Sequence, residues 1–141
     1  MASKHLTIRM DPGSFERLDR ESRRQRVTRS ELARTLLEEG LRMEAHPGIV
    51  FRPGPTGRRA GLKDGADIWE VISLYQDMGG LGEEALRRTC EWAGLRPDQV
   101  DAALRYYSEY TEEIDDRIRM NHEAAERGHA ESLRKPQALN R

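Results

Sequence analysis

Hydrophobic and polar positions alternate strictly through the first stretch of the chain, "KHLTIRMDPG". Leu6, Ile8 and Met10 fall on one side and His5, Thr7 and Arg9 on the other, the period of two that marks a strand with one apolar and one polar face. The pattern then changes to a helical period. Asp11 can cap free backbone N–H groups and Pro12 suits a first helical position. Phe15, Leu18 and Ser22 recur at helical spacing as an inward stripe along "DPGSFERLDRESRRQRV". A turn is expected between Arg24 and Val27. "TRSELARTLLEEGLR" opens on a capping box, Thr28 with Glu31 three residues on, and carries Leu32, Ala33, Leu36, Leu37 and Leu41 as the stripe of a second helix.

The periodicity stops in "AHPGIVFRPGPTGRRAGLKDG", where prolines and glycines exclude a helix. Ile49 to Phe51 and Arg58 to Leu62 flank "PGPTG", the arrangement of a small hairpin. Beyond it the helical period returns. Ile68, Val71, Ile72 and Tyr75 form one stripe, ending at "MGG". A second helix covers about Glu83 to Trp92, with Leu86 and Cys90 inward, and stops at Gly94. A third starts near Pro97 and runs long, with Val100, Ala103, Leu104, Tyr107, Ile114 and Ile118 on one side, and is expected to fray after Glu126. The tail "GHAESLRKPQALNR" has no strong period and reads as mobile.

These elements give a fold class: mainly α with a short N-terminal β-strand, followed by a hairpin and a three-helix C-terminal domain. Three segments are expected, at 1–44, 45–120 and 121–141. Of the 141 residues 36% are hydrophobic and 35% charged, so any core is modest and completion by a second chain is favoured. The one cysteine, Cys90, has no internal disulfide partner, which fits a reducing compartment. No apolar run approaches the roughly 18 residues of a membrane span, and no signal-peptide core follows the start, so a soluble cytoplasmic protein is expected. The net charge of −1 conceals a division along the chain. Residues 1–43 carry ten Lys and Arg against seven Asp and Glu, whereas residues 64–126 carry six against sixteen. A basic front and an acidic back point to two surfaces with different partners.

A strand of this length cannot stand alone, because its N–H and C=O groups need partners. It pairs either with the hairpin near residues 49–62 or, antiparallel, with its own copy in a homodimer. The second arrangement needs no long loop and yields a two-fold ribbon. Leu6, Ile8 and Met10 would cover the helices, and His5, Thr7 and Arg9 from both chains would face outward. Such a ribbon has the width to enter the major groove of DNA. There Arg9 can donate two hydrogen bonds to a guanine edge, and Thr7 can bond a base or pack on a thymine methyl. The start of the second helix, at Thr28, Arg29 and Ser30, offers backbone N–H groups to a phosphate, with Arg23, Arg24 and Arg26 adding charge nearby.

The run "HLTIRMDPGSFERLDRESRRQRVTRSELARTLLEEGL" resembles the ribbon-helix-helix fold of the Arc, MetJ and CopG repressors. The resemblance covers residues 4–43 and rests on "LTIRMD" followed by "TRSELAR". It implies operator reading by His5, Thr7 and Arg9 and phosphate anchoring at Thr28, Arg29 and Ser30. Many members carry a glycine in the turn between the helices, where this chain has Arg26. A left-handed residue there is strained unless it is glycine.

The back half, through "GRRAGL", "DIWEVI" and "QVDAALRYYSEYTEEID", resembles the hairpin-plus-three-helix domain of antitoxins paired with PIN-like ribonuclease toxins. That implies a type II antitoxin that represses its own operon and holds a cognate toxin. "GLRPDQVDAALRYY" is also similar to a helix-turn-helix, but Asp98, Asp101, Glu109, Glu112, Glu113, Asp115 and Asp116 would repel phosphate. An acidic, aromatic-bearing surface suits a basic protein partner. Trp69, Trp92, Tyr75 and Tyr107 are assigned to the core. Tyr106 and Tyr110, off the main stripe, are assigned with Arg58, Arg59 and Glu113 to partner contact. No nucleophile–base pair, phosphate loop or metal-ligand spacing stands out, so neither an enzyme nor a cofactor is expected. Two rivals are a ribbon-helix-helix repressor without a toxin and a protein-interaction adaptor that does not bind DNA.

Overall fold

A computed structural model describes residues 2–79 and 82–139, with side chains through 134. Contacts divide the chain into two compact units, Met1–Arg42 and Met43–Arg141. Six helices and one two-stranded sheet make up the described residues, and no helix among them is long and apolar enough to cross a membrane.

In the first unit, residues 2–10 carry neither strand nor helix. The expected N-terminal strand is therefore absent from the single chain, because no described segment pairs with it and a strand's backbone groups need a partner. Helix α1 spans Pro12–Gln25. The Asp11 carboxylate caps it, accepting from the Ser14 N–H at 3.1 Å and the Ser14 hydroxyl at 2.8 Å. Those bonds, the hydroxyl first, hold the Asp11 carboxyl below its ordinary range.

α1 ends at Arg26, which takes the left-handed conformation at φ 58°. The Val27 N–H reaches back to the Ser22 carbonyl at 3.0 Å and the Arg26 N–H to the Arg23 carbonyl at 3.2 Å, the paired bonds of a Schellman stop. The turn thus keeps the geometry that suits glycine while carrying an arginine. Helix α2 spans Arg29–Ala45. Its capping box forms: Thr28 Oγ1 accepts from the Glu31 N–H at 3.0 Å, and Glu31 accepts from the Thr28 N–H at 3.2 Å. Of the apolar positions on the two helices only Leu32 is buried, while Phe15, Leu36, Leu37 and Leu41 are exposed, as is Val27 in the turn between them. Two helices alone enclose only a narrow strip.

The second unit begins with the hairpin β1 (Ile49–Arg52) and β2 (Arg59–Leu62), paired from Ile49 opposite Leu62 to Arg52 opposite Arg59. Ile49, Ala60 and Leu62 are buried, which sets the hairpin's inner face. Helices α3 (Ile68–Asp77), α4 (Glu83–Ala93), α5 (Pro97–Glu109) and α6 (Thr111–Leu139) follow. Gly94 ends α4 in a left-handed conformation, as the sequence pattern suggests. Gly80, part of the expected stop after α3, lies outside the described residues. Ile68, Val71, Ile72, Val100, Ala103, Tyr106 and Ile114 close the core over the hairpin.

The back half has four helices rather than three, because Tyr110 leaves helical geometry at φ −120° and ψ 46° and divides the expected long helix into α5 and α6. α6 does not fray after Glu126 but continues to Leu139; residues rich in Ala, Glu and Arg sustain a helix by propensity without an apolar period. Residues 140 and 141 of the expected tail lie outside the described residues. Trp92 is not core but 76% exposed. On α4 the fully buried positions are Ala85 and Thr89, with Leu86 and Cys90 half-buried beside them.

Candidate functional site

The basic front surface is built on the N-terminal segment and the start of α2. His5, Thr7 and Arg9 are all exposed, and none of the three makes a hydrogen bond or ion pair among the described residues. The intervening Leu6, Ile8 and Met10 are 72%, 65% and 45% exposed. The segment therefore presents polar and apolar side chains alike to solvent.

At the start of α2, the Thr28 hydroxyl is committed to its cap, which leaves backbone N–H groups of the first turn as the donors for an anion. The Arg29 guanidinium turns back to α1, 3.3 Å from Asp19 and 4.9 Å from the centre of the Phe15 ring. Its side chain ties the helices together, while its backbone N–H remains at the helix start. Ser30 is exposed. Arg23 and Arg24 pair with Asp19 and Glu21 on the outside of α1, which lowers the charge they present.

The back surface is organised around a ring cluster that the sequence pattern does not show. Tyr106 is fully buried, not a contact residue. Its ring packs edge-on to His46 at 5.4 Å and lies 4.7 Å from the half-buried Tyr110. Its hydroxyl donates to Glu113 at 2.8 Å, so Glu113, although exposed, is tied to the core. His46 Nε2 lies 2.6 Å from Glu109 Oε2 and anchors the entry to the hairpin against the end of α5. On the neighbouring face the Tyr107 hydroxyl donates to Asp115 at 2.7 Å, and that bond, with burial, pushes the phenol upward.

The expected contact residues Arg58 and Arg59 are half-buried on the hairpin. Arg59 pairs with the nearly buried Asp67 at the start of α3 and donates to the Pro53 carbonyl at 3.1 Å. Asp67 also receives Arg52 at 3.5 Å and the Trp69 indole N–H at 3.3 Å. The glycines of the hairpin make this possible. A side chain at Gly61 would overlap the Arg52 guanidinium, and one at Gly54 would overlap that of Arg59. Arg117 on α6 completes the group, donating to Thr56 and to the Arg58 carbonyl. Asp67 and Arg117 were invisible as a site because neither follows a motif; only the pairing of two hairpin arginines with a following acid hints at it.

The chain matches no protein-family model, no curated protein and no solved structure.

Proposed function

We propose that this chain is a homodimeric DNA-binding antitoxin, whose front unit reads a short operator palindrome and whose back unit holds a ribonuclease toxin. One observation carries the dimer: an alternating segment with Leu6, Ile8 and Met10 exposed lies in the same unit as the exposed Phe15, Val27, Leu36, Leu37 and Leu41. An apolar set of that extent is a large exposure for a stable monomer. An antiparallel pairing of two copies of residues 5–10 would satisfy their backbone groups and cover these side chains. The same pairing would set His5, Thr7 and Arg9 side by side, twice over, on a ribbon sized for the major groove. Phosphate would be held at the α2 start by the backbone of Arg29 and Ser30 and by the neighbouring Thr28.

The toxin assignment rests on charge and on sequence resemblance. Residues 64–126 carry sixteen acidic against six basic side chains, a surface that attracts a basic protein and repels nucleic acid. Of the residues assigned to partner contact, Arg58, Arg59, Tyr110 and Glu113 remain in this role, and Tyr106 supports them from beneath. Sedimentation equilibrium tests the dimer: a species of twice 16.2 kDa is expected, and a monomer at micromolar concentration overturns the ribbon. Co-expression with the protein encoded beside it tests the partner. A co-purifying small ribonuclease silenced in the complex is expected, and a neighbour that neither binds nor is silenced leaves a plain repressor.

A further inference from the structure

A cleft of about 190 Å³ opens between the hairpin and α6. Three guanidinium groups, those of Arg58, Arg59 and Arg117, line it together with Glu113, and Phe51 and Trp69 supply aromatic wall. The charges do not cancel. Arg59 is answered by Asp67 behind it, and Glu113 stands against the remaining two. Arg117 has only neutral acceptors, the carbonyl and hydroxyl of Thr56 and the carbonyl of Arg58, with no carboxylate in ion-pair contact among the described residues. The cleft is therefore left with about one uncompensated positive charge at the α6 end, beside an aromatic surface. A second cleft of about 240 Å³ shares Arg117, takes in Thr56 and continues along α6 past Met120 and Glu123 to Arg127.

We propose that this cleft docks a peptide segment of a protein partner that presents one carboxylate side chain beside an apolar one. The carboxylate meets Arg117, whose planar fork suits it, and the apolar side chain lies on Trp69 and Phe51. The volume is that of about six waters at about 30 Å³ each, enough for such side chains and too little for a folded element. Surrounding charge selects the class of ligand. With sixteen acidic residues against six basic over 64–126, a polyanion reaching beyond the cleft would be repelled by the walls around it, whereas a single carboxylate seated on Arg117 is screened from acidic groups more than about 8 Å away at physiological salt. The inference rests on the reading of the back unit as a protein-binding unit, and gives that unit a means of fixing the register of its partner.

The test uses the full chain and peptides alone, so its result is separate from operator binding and from the toxin's identity. The chain has two tryptophans, and the indole N–H resonance of Trp69 is assigned through Trp92→Phe. Titration with the capped pentapeptide ALELA is expected to shift the Trp69 resonance saturably and leave Trp92 in place. The amide counterpart ALQLA is expected to bind about tenfold more weakly, the loss of one charge-assisted contact. Arg117→Gln should weaken ALELA by a similar factor, Arg117→Lys by less, and Arg105→Gln on the exposed side of α5 not at all. No saturation by about 10 mM, or equal binding of ALELA and ALQLA to the parent chain, overturns the proposal. So does tighter saturation of the same resonance by inorganic phosphate or by a single-stranded hexanucleotide, which would make this a phosphate site instead.

Discussion

Asp67 is the residue on which the hairpin and α3 converge, and its replacement gives the sharpest stability prediction for the back unit. Its side chain is 11% exposed and receives the guanidinium groups of Arg52 and Arg59 and the Trp69 indole. Its own N–H is served separately by Glu70 at 3.2 Å. A dry charge-assisted hydrogen bond contributes roughly 1.5–3 kcal/mol. Arg52 and Arg59 are 31% and 29% exposed, so water recovers part of that when the carboxylate is removed. Asp67→Ala should therefore cost about 3 kcal/mol and Asp67→Asn, which keeps shape and one acceptor, about 1.5 kcal/mol. For a unit of this size these correspond to a fall in Tm of roughly 15 °C and roughly 8 °C. Thermal unfolding by circular dichroism reads both, and a double-mutant cycle with Arg59→Ala isolates the pair, with a coupling of about 1–2 kcal/mol expected. A Tm for Asp67→Asn within about 1 °C of the parent, or a coupling near zero, would refute the claim that this carboxylate joins hairpin to helix.

Other substitutions test other joints of the molecule. Arg26 occupies a left-handed position at φ 58°, so Arg26→Gly should stabilise the front unit by about 0.5–1 kcal/mol after glycine's greater unfolded-state entropy is offset, and Arg26→Val should destabilise it; chemical denaturation at fixed chain concentration distinguishes the two. Tyr106→Phe, which removes only the hydroxyl bound to Glu113, should cost about 1 kcal/mol, whereas Tyr106→Ala opens the core and should cost about 3–5 kcal/mol by the same measurement. Burial pushes the Cys90 thiol up. Since the thiolate is the reacting species, Cys90 should react with a disulfide reagent at pH 8 several-fold more slowly in the folded chain than in urea.

Local signals in the sequence carried the elements whose causes are local. Asp11 with Pro12, Thr28 with Glu31, "PGPTG" and Gly94 each act through a cap or turn a few residues long, and each lies where its chemistry places it. The alternation at residues 5–10 is equally legible, yet a single chain offers it no partner strand, so the pattern is present without the hydrogen bonds. What sequence reasoning missed is held by distant contacts. Tyr106 follows the buried Val100 and Ala103 at helical spacing on α5, but a stripe read through its neighbour Tyr107 passes it by, and the rings it packs on, His46 and Phe51, lie far back along the chain. Trp92, assigned to the core by its chemistry, follows the buried Ala85 and Thr89 on the same side of α4 but sits in the last turn before Gly94, where it is exposed. The extension of α6 to Leu139 follows from helix propensity, which an argument from apolar periodicity does not weigh. Of the candidate site, the front residues are readable from alternation, whereas the cleft at Arg117 exists only once the hairpin and α6 are brought together.

In the proposed function, two copies of the N-terminal segment form a ribbon that reads DNA through Arg9. The most direct test is selection of binding sites from a random double-stranded pool, followed by affinity measurement on the enriched sequence. A short palindrome is expected, whose affinity falls steeply with salt and falls by roughly ten- to a hundredfold in Arg9→Ala, the loss of one bidentate base contact per chain, with the variant still folded. Failure of the parent chain to enrich any sequence, or equal affinity of parent and Arg9→Ala for the enriched palindrome, would contradict it.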